Sequence, residues 1–328
     1  MSAVMSSILP QRAAPAPAVA AGPVSAVVMI PTFRRPAMLA ATLDSLARQQ
    51  AATPFAIVVV DNDAAGREGL ATAEAAFAAG SLEGLALTEP RQGNCHAINA
   101  ALAAALAHYP QARYLLMIDD DEIASPFWLQ RLVDAAERHG ADVVGGPVWP
   151  VFAGAVPPRV AAHPVFRPAF AESGPVPMIY GSGNFLIRRS ALARLAEPAF
   201  DTRFNFLGGG DTDFFTRCRR AGLSFHWESS AHIRETVPAT RTTTGWILRR
   251  SLRIGAINYL IDRRGAATLA QRLRVGAKNA ALLPVSLTRA ARDLAHGRGL
   301  FPASHHVVVA FGRILASLGV ETEQYRAR

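Results

Sequence analysis

The most restrictive feature of the sequence is an apolar, strand-like run that ends in four consecutive carboxylates. Residues 114–118 (YLLMI) lead directly into the acidic cluster Asp119-Asp120-Asp121-Glu122. Four like charges at the end of a hydrophobic strand repel one another and are poorly hydrated, so either a metal neutralises them or the loop spreads them into water. Alternatively, they form the acidic start of a helix from Ser125-Pro126, where carboxylates favour the positive end of the helix dipole.

Apolar runs alternate with helical patterns throughout the first half of the chain. Strand-like runs lie near residues 24–31, 55–60 and 85–87, and helical patterns cover about 36–49, 66–79 and 95–108. This alternation predicts an α/β fold with a mainly parallel, Rossmann-like sheet and helices on both faces. Right-handed crossovers place the carboxyl ends of the strands at one edge, which is where ligands bind in such sheets.

Asp61 follows the second predicted strand and therefore shares that edge with the acidic cluster. A carboxylate there can accept hydrogen bonds from a nucleobase or a ribose, while the acidic cluster holds a metal on a diphosphate. The alternative is that Asp61-Asn62-Asp63 forms a turn whose side chains bond to nearby backbone N–H groups. The sequence has no G-x-G-x-x-G after the first strand and no G-x-x-x-x-G-K-[ST], so a dinucleotide site and a P-loop have no support.

Length and composition predict one large domain with additions at both ends. The chain has 328 residues, 50% of them hydrophobic, which is enough to bury a large core. Residues 1–24 are rich in Ala and Pro and are expected to form a disordered leader, residues 25–240 a catalytic domain and residues 241–328 a helical basic region. Two cysteines are too few for a disulfide framework or a zinc site, which is typical of a protein in the reducing cytoplasm.

Most of the positive charge lies in the C-terminal region. Residues 241–328 contain 15 Arg or Lys and 4 Asp or Glu, whereas the whole chain has a net charge of +9. A basic region of this kind suits anionic lipid or nucleic acid. Its apolar stretches at 280–287 and 307–318 are too short to cross a bilayer, so we expect no transmembrane helix. They suit helices that lie in a membrane interface or pack on the catalytic domain.

Six short motifs occur in order between residues 30 and 215. They are IPTFRRP (30–36), VDND (60–63), QGN (92–94), IDDDE (118–122), GSGNFLIR (181–188) and GGGDTDFF (208–215). Together with the segment 241–253, this series resembles the nucleotide-sugar half of family 2 glycosyltransferases, which have the GT-A fold. The acidic cluster, residues 146–149 and the segment 319–326 most resemble the succinoglycan-biosynthesis glucosyltransferase branch of that family.

The resemblance implies roles for the matching positions. It implies that Asp61 contacts the uridine of a UDP-sugar and that Asp119 and Asp121 are the first and last residues of a metal-binding D-x-D motif. The resemblance also implies that Glu122 reaches the metal or the sugar and that His232 is a late metal ligand, although a lone histidine is more often structural. Hard oxygen ligands suit Mg²⁺ or Mn²⁺, with the diphosphate completing the shell. The other donor contacts are expected at Pro31, Thr32, Asn94, Asp120, Gly183 and Asn184.

Many relatives use an Asp preceded by Glu to deprotonate the acceptor hydroxyl. Asp211 occupies the Asp position, but Gly210 stands where Glu is usual, so Asp213 stays open as an alternative base. In a single displacement with inversion, the base must lie within hydrogen-bond reach of the attacking hydroxyl. The two residues precede a predicted helix at 214–221, so one of them can face the site while the other caps the helix, or both can be caps.

Two further segments are candidates for sugar or phosphate contacts. Small residues at Gly181-Ser182-Gly183-Asn184 let a sugar or diphosphate approach the backbone, although an ordinary tight turn has the same composition. The segment 241–250 resembles the family's acceptor motif, with Trp246 to stack on a sugar and Arg241 and Arg249 to pair with phosphate. Gly245 precedes the tryptophan and the usual Gln is missing, which favours addition of one sugar per cycle. An amphipathic helix with a solvated basic face is the alternative.

The sequence therefore predicts an inverting, metal-dependent glycosyltransferase. Its expected donor is a UDP-sugar, with UDP-glucose favoured, and its expected acceptor is a saccharide or lipid-linked oligosaccharide in cell-surface polysaccharide synthesis. A cytoplasmic protein, peripheral at the inner face of the membrane, fits that acceptor, and no nucleic acid is expected. The alternatives are a nucleotidyltransferase, which lacks its basic Gly-rich loop here, and a non-catalytic nucleotide- or nucleic-acid-binding protein, whose phosphate the acidic cluster repels in the absence of metal.

Overall fold

A computed structural model of the protein describes residues 23–196 and 199–320. The predicted leader lies almost wholly outside these residues, as does most of the segment 319–326. The first half alternates strands and helices as the sequence predicts. Its elements are β1 (Ala26–Thr32), α1 (Pro36–Ala47), β2 (Phe55–Asp61), α2 (Glu68–Ala78), β3 (Gly84–Thr88), α3 (Asn94–His108), β4 (Tyr114–Met117), β5 (Glu122–Ala124) and α4 (Trp128–His139).

The second half completes two sheets and ends in helices. Its sheet-forming part contains β6 (Val143–Gly145), β7 (Val148–Phe152), α5 (Pro158–Ala161), β8 (Gly174–Pro175), β9 (Phe185–Arg188), α6 (Arg189–Leu192), α7 (Gly210–Arg220), β10 (Phe225–Trp227) and β11 (Ile233–Val237). The helices that follow are α8 (Thr244–Arg264), α9 (Leu269–Ala295), α10 (Leu300–Ala303) and α11 (His305–Ser317).

The larger sheet has the strand order β3-β2-β1-β4-β9-β6-β10-β8. Strands β3, β2, β1 and β4 are mutually parallel, whereas β9 runs antiparallel to both β4 and β6. The chain order reverses between β1 and β4, which creates the crevice where open α/β sheets bind ligands. A smaller sheet, β5-β11-β7, covers this edge and contains the end of the acidic cluster.

Apolar side chains on alternate strand positions form a core on each face of the larger sheet. Val27 and Met29 of β1 belong to the cluster that includes α3 and α7, while Val28 and Ile30 belong to the one that includes α1 and α4. This alternation follows from the two-residue period of a strand. The predicted fold class, a mainly parallel sheet covered on both faces with C-terminal helices, is confirmed.

Two predicted helix starts are wrong in ways that affect the site. Helix α4 begins at Trp128, and Glu122 instead opens strand β5, so the acidic cluster is not the first turn of a helix. The pairing of β5 with β11 is the physical reason, because it holds this segment extended. Helix α7 begins at Gly210 rather than at residue 214, which places Asp211 and Asp213 inside its first turn.

The C-terminal helices pack against the sheet domain and against one another. Ile257 and Ile261 of α8 join the core that lies under α3 and α7. Helices α8 and α11 approach closely at two glycines: a Cβ atom at Gly255 would lie 2.0 Å from the carbonyl oxygen of Val309, and one at Gly312 would lie 2.0 Å from that of Leu252. The boundary at residue 240 stays a prediction, since α8 shares its apolar core with the preceding domain.

Candidate active site

Helix α1 holds the backbone of the acidic cluster. The hydroxyl of Thr42 lies 3.0 Å from the carbonyl oxygen of Asp120 and 2.7 Å from that of Glu122, and it donates to this pair. The hydroxyl of Ser45 accepts a bond of 3.1 Å from the N–H of Ala124. Both side chains are buried, so these bonds replace ones that the loop would otherwise make with water. The packing of α1 therefore fixes the backbone from which the carboxylates of the acidic cluster project.

Asp120 ties the acidic cluster to the end of β1. Its Oδ2 atom accepts from the hydroxyl of Thr32 at 2.8 Å and from the N–H of Phe33 at 3.4 Å, and its Oδ1 atom accepts from the guanidinium of Arg35 at 3.1 Å. Arg35 also reaches Asp121, at 2.8 Å. Burial raises the pKa of Asp120, and the positive charge of Arg35 opposes that shift. Pro31 and Thr32 are buried at this junction. The donor contacts expected at Pro31, Thr32 and Asp120 stay predictions.

Asp119 and Glu122 form the least compensated part of the cluster. Glu122 is 3% exposed, and its Oε2 atom accepts from the N–H of Asp119 at 2.7 Å. Burial, followed by repulsion from neighbouring carboxylates, raises the pKa of both acids well above the ordinary range. Gly183 makes room for Glu122, because a Cβ atom at that position would lie 2.2 Å from Oε1. The fold therefore holds two acids where ionisation needs a nearby cation.

Glu235 is a further carboxylate at this site that sequence reasoning missed. It lies on β11 directly opposite Glu122 of β5, and the neighbouring N–H of Thr236 donates to the carbonyl oxygen of Asp121 at 3.1 Å. Burial and the charge of Asp121 raise its pKa, while Arg241 opposes the shift through an ion pair of 2.9 Å. The only local signal is a glutamate between two apolar positions of a strand, Ile233 and Val237.

A divalent cation fits the chemistry of this donor set if substrate oxygens share its coordination. Within residues 23–196 and 199–320, no three His, Cys, Asp or Glu side chains are close enough to enclose a metal by themselves. Mg²⁺ commonly uses one or two protein carboxylates together with phosphate oxygens. Asp119 and Asp121 remain the predicted pair. His232 lies just before β11, with its Nδ1 atom 3.1 Å from the carbonyl oxygen of Ser230, and its role as a ligand stays a prediction.

Asp61 lies at the predicted edge, but its carboxylate is enclosed by the fold. The residue is 0% exposed, and its two oxygens accept from the N–H groups of Asp63 and Leu70, each at 2.9 Å. These are the bonds expected of a turn in which the side chain accepts from nearby backbone N–H groups. Contact with a uridine stays a prediction, and it requires the start of α2 to move aside or the ligand to bond to the backbone around Asp61.

Asn94 is exposed at the start of α3, where a ligand can reach it. The helix start is built by Asn205, a residue that sequence reasoning missed: its Oδ1 atom accepts from the N–H of Cys95 at 2.9 Å and from that of His96 at 3.3 Å. Gly93 has a φ of 141° and no room for a side chain, because a Cβ atom would lie 2.3 Å from the Asn205 side chain. The donor contact at Asn94 stays a prediction.

Asn184 links three segments beneath the acidic cluster. Its Oδ1 atom accepts from the indole N–H of Trp128 at 2.8 Å, and its amide donates to the carbonyl oxygens of Pro147 and Ala231 at 3.1 and 2.9 Å. The side chain is buried and its donors are all used, so it positions the loop that carries Gly183. A direct donor contact by Asn184 stays a prediction that these bonds disfavour.

The structure separates the two candidate bases on α7. Neither caps the helix, whose N-cap is Gly209 without a side-chain hydrogen bond. Asp213 accepts from the Nε atom of Arg217 at 2.9 Å, one turn further along the helix. Asp211 instead lines a cavity of about 70 Å³ together with Arg250 and Asn258 of α8, and its charge contributes to the raised pKa of Asp119. Asp211 is therefore the residue that faces the acidic cluster.

The predicted acceptor residues divide between two environments. Trp246, near the start of α8, stacks on Phe166 at a ring distance of 6.2 Å and packs against a small apolar cluster. Arg241 is bound to Glu235, while Arg249 is exposed to solvent. Arg241 is thus part of the carboxylate site, and the acceptor roles of all three residues stay predictions.

The sequence matches the family model described as Glycosyl transferase family 2 over residues 27–196. It is 33% identical over 233 residues to the succinoglycan biosynthesis protein ExoM of Rhizobium meliloti (strain 1021), which covers 68% of this chain and 71% of that protein. The region matched by the family model contains nearly all of β1, the acidic cluster and the loop at Gly183, whereas Asp211 and Glu235 lie beyond it.

Solved structures share the fold at low sequence identity. S. aureus TarS 1-349 in complex with UDP matches with a TM-score of 0.51 and 16% identity, over 92% of this chain and 93% of that one. The mannosyltransferase PcManGT from Pyrobaculum calidifontis, in complex with GDP-Man and Mn²⁺, matches with a TM-score of 0.55 and 18% identity, over 93% and 91%. The chain spans about half, 55%, of a longer TarS structure, with a TM-score of 0.52.

Proposed function

This chain belongs to glycosyl transferase family 2, and we propose that it transfers a single sugar with inversion from a UDP-sugar to a lipid-linked saccharide. One observation carries the proposal: the fold holds Asp119, Asp121, Glu122 and Glu235 together at the sheet edge, where burial and mutual repulsion raise the pKa of Asp119, Glu122 and Glu235. A site with this excess of carboxylate is suited to a cation that arrives with a nucleoside diphosphate.

Asp119 and Asp121 would hold a divalent cation, Mg²⁺ or Mn²⁺, which would supply stabilisation of the charge on the leaving diphosphate. Glu122 fixes the loop through its bond to the N–H of Asp119, and Glu235 adds negative charge from the facing strand. Arg35 bridges Asp120 and Asp121 and keeps their carboxylates oriented in the absence of metal. These residues bind and orient the donor, and the sugar carbon is left open to attack.

Asp211 is the proposed base that removes the proton of the acceptor hydroxyl. It lies in the first turn of α7 and lines the cavity beside α8. Its electrostatic interaction with Asp119 raises the pKa of that residue of the acidic cluster. Asp213 is the weaker candidate because its carboxylate is bound to Arg217. A base must come within hydrogen-bond reach of the attacking hydroxyl, so the acceptor must enter between α7 and α8.

The relative ExoM is named for succinoglycan biosynthesis, and UDP and Mn²⁺ are named with two neighbours in fold. Since the neighbour with Mn²⁺ is named with GDP-Man, these names support a nucleotide-sugar donor and an exopolysaccharide precursor as acceptor, and we take a UDP-sugar, UDP-glucose first, as the donor to test. We place the reaction at the inner face of the cell membrane, where a lipid-linked precursor is reached from the cytoplasm. The two free, buried cysteines are consistent with a reducing compartment.

Donor and acceptor are tested together by measuring nucleoside diphosphate release from a panel of UDP-sugars and GDP-sugars, with and without a lipid extract that contains polyisoprenyl-diphosphate saccharides. The proposal expects release that needs Mn²⁺ or Mg²⁺, prefers one UDP-sugar and rises with the extract. Release that persists in a chelator contradicts the role of the metal. Release with GDP-sugars alone contradicts the donor, and a product that keeps the donor's anomeric configuration contradicts inversion.

A further inference from the structure

Helix α9 presents its apolar side to solvent. The residues Leu269, Leu273, Ala280, Leu287, Ala291 and Leu294 are all exposed and are spaced so that they share one face of the helix. We name these six residues the α9 outer stripe. Its four leucines are 72%, 66%, 53% and 44% exposed in chain order. At 1.5 Å per residue, a helix of this length extends about 40 Å, so the stripe is a long feature of the surface.

The face of α9 that packs on the other C-terminal helices has polar residues at its fully buried positions. Asn279 accepts from the Nε atom of Arg313 of α11 at 2.5 Å, and Asp293 binds Arg298 at 3.0 Å. Ser286 and Asp293 are buried on this face. A helix that packs on a protein core in water normally has the reverse arrangement, with its apolar face inward. The inversion indicates that the outer stripe serves a non-aqueous environment.

Cations flank the stripe and carboxylates do not. Arg274 and Arg292 lie on exposed positions one residue after Leu273 and Ala291 of the stripe, whereas Arg289 lies on the far side of the helix. The single acid of α9, Asp293, is buried. Lys278 pairs with Asp262 of α8 at 2.7 Å, and both residues line a cavity of about 290 Å³ together with Arg274 and Arg220. A second copy of the chain brought against α9 would place arginines opposite arginines, whereas anionic head groups complement them.

We propose that the α9 outer stripe inserts into the interface of an anionic phospholipid membrane, with its leucines among the upper acyl chains and its flanking arginines at the phosphates. The inference rests on the proposed function where it names the membrane that carries the acceptor. The two alternatives predicted for the apolar stretches divide between the helices: residues 307–318 lie in α11, which packs closely on α8, whereas residues 280–287 lie in α9, which has the long exposed apolar face. Every helix of residues 23–196 and 199–320 falls short of what a bilayer crossing requires.

The test is co-sedimentation of the full-length protein with vesicles made of phosphatidylcholine and phosphatidylglycerol in equal parts, and with vesicles of phosphatidylcholine alone. The matched pair of variants is Leu287→Ser on the stripe and Val285→Ser off it, since these residues lie on the same helix at 53% and 44% exposure. We expect Leu287→Ser to weaken binding to the anionic vesicles about tenfold, Leu273→Ser with Leu287→Ser to weaken it about a hundredfold, and Val285→Ser to change it less than about twofold.

Each other outcome overturns the surface as proposed. Equal binding to both vesicle types removes the role of anionic lipid, and equal losses for the two single variants remove the role of the stripe. A protein that ignores vesicles but forms dimers which Leu287→Ser dissociates assigns the stripe to a second copy. UDP binding measured on the same preparations separates this inference from the proposed function, because a wild-type protein that binds UDP but not the anionic vesicles rejects the surface alone.

Discussion

The acidic cluster at the sheet edge and the outer stripe of α9 depart in opposite ways from what a protein in water usually does. The cluster gathers carboxylates away from solvent, and the pKa of Asp119 and Glu122 is raised as a result. The stripe exposes leucines while α9 buries Asp293. Each region is costly for a chain alone in water, and each becomes favourable when one partner arrives, a cation for the cluster and a lipid interface for the stripe.

The loop after β2 shows what a satisfied acidic turn looks like at the same edge. Asp61 has both oxygens bound by backbone N–H groups, and the hydrogen bond with Arg34 lowers the pKa of Asp63. The loops after β2 and β4 therefore contain the same residue types at equivalent strand ends, but only the loop after β4 is left in need of a cation. Residue type suggests a ligand site, and the balance of partners decides it.

The largest effect is expected from Asp119→Asn combined with Asp121→Asn. Loss of the cation that stabilises the leaving diphosphate costs several kcal/mol, so turnover should fall at least about a thousandfold. Steady-state assays of UDP release measure this. Asp63→Asn, in the satisfied loop after β2, is the matched control and should change turnover less than about twofold. A double variant within tenfold of the wild type would remove the acidic cluster from the chemistry.

Asp211→Asn should lower turnover about a hundredfold or more, since it removes the proposed base while leaving donor binding intact. Calorimetry should give the same UDP affinity within about twofold, which separates this effect from loss of the metal. Asp213→Asn is the neighbouring control. It should lose only the partly exposed ion pair with Arg217, a loss that lowers the free energy of unfolding by about 0.5 kcal/mol, and should keep its turnover. Turnover that survives both substitutions together rejects either aspartate as the base.

Glu235→Gln should weaken Mn²⁺ binding about tenfold, because the facing strand then contributes one less negative charge to the cluster. The same change should raise the melting temperature of the metal-free protein, since a buried like charge is removed. Thermal melting at increasing Mn²⁺ concentrations reports both effects. Glu235→Asp keeps the charge and should lie nearer the wild type. If Glu235→Gln lowers metal-free stability, the residue is held by Arg241 rather than strained by the cluster.

The stability contributed by the buried histidines near α8 and α11 and that contributed by the acidic cluster should change with pH in opposite directions. Burial lowers the pKa of His305 to about 3 and of His163 to about 4, and His305 lies 2.9 Å from the hydroxyl of Ser251 at the junction of α8 and α11. The unfolded imidazoles take up protons below about 6.5 and the folded ones do not, so the stability they contribute is present above that pH and is lost as pH falls toward 3. The pKa of Asp119 and of Glu122 is raised in the folded protein, so the stability that these two acids contribute is lost instead as pH rises.

We therefore expect mild acid to loosen the C-terminal helices first, by about 2 kcal/mol of unfolding free energy for each of the two histidines between pH 7 and 5, about 4 kcal/mol together. Chemical denaturation at several pH values measures this, and hydrogen exchange identifies the helices that open. His305→Gln should reduce the pH dependence by about half. A wild-type stability that increases steadily between pH 7 and 5 would mean that the carboxylates of the acidic cluster outweigh the histidines.

The sequence predicts the parts of the site that depend on local order. The run at 114–118 followed by Asp119–Glu122 predicts a strand end with an acidic loop, and alternation of strands and helices brings Asp61 to the same edge. Glu235 and Asn205 could not be found in this way. Glu235 meets Glu122 only through the pairing of β11 with β5, and Asn205 reaches α3 from a distant segment, so no pattern within a window contains either contact.

The starts of α4 and α7 were misplaced for physical reasons of the same kind. Pairing with β11 keeps residues 122–124 extended, and Gly208-Gly209-Gly210 resembles a turn although Gly210 already has helical geometry. The apolar period of α9 is visible in the sequence, but which face turns inward depends on Arg313 of α11, which binds Asn279. Tertiary partners decide these features, and the local pattern does not contain them.

The most direct test of the central claim is calorimetric titration of UDP into the purified protein with and without Mn²⁺. The account predicts binding that is at least about tenfold tighter with Mn²⁺, together with loss of that difference in the variant that carries Asp119→Asn and Asp121→Asn. Equal affinity in the presence of Mn²⁺ and of a chelator, or no binding under either condition, would contradict the assignment of the acidic cluster to a metal-bound nucleoside diphosphate.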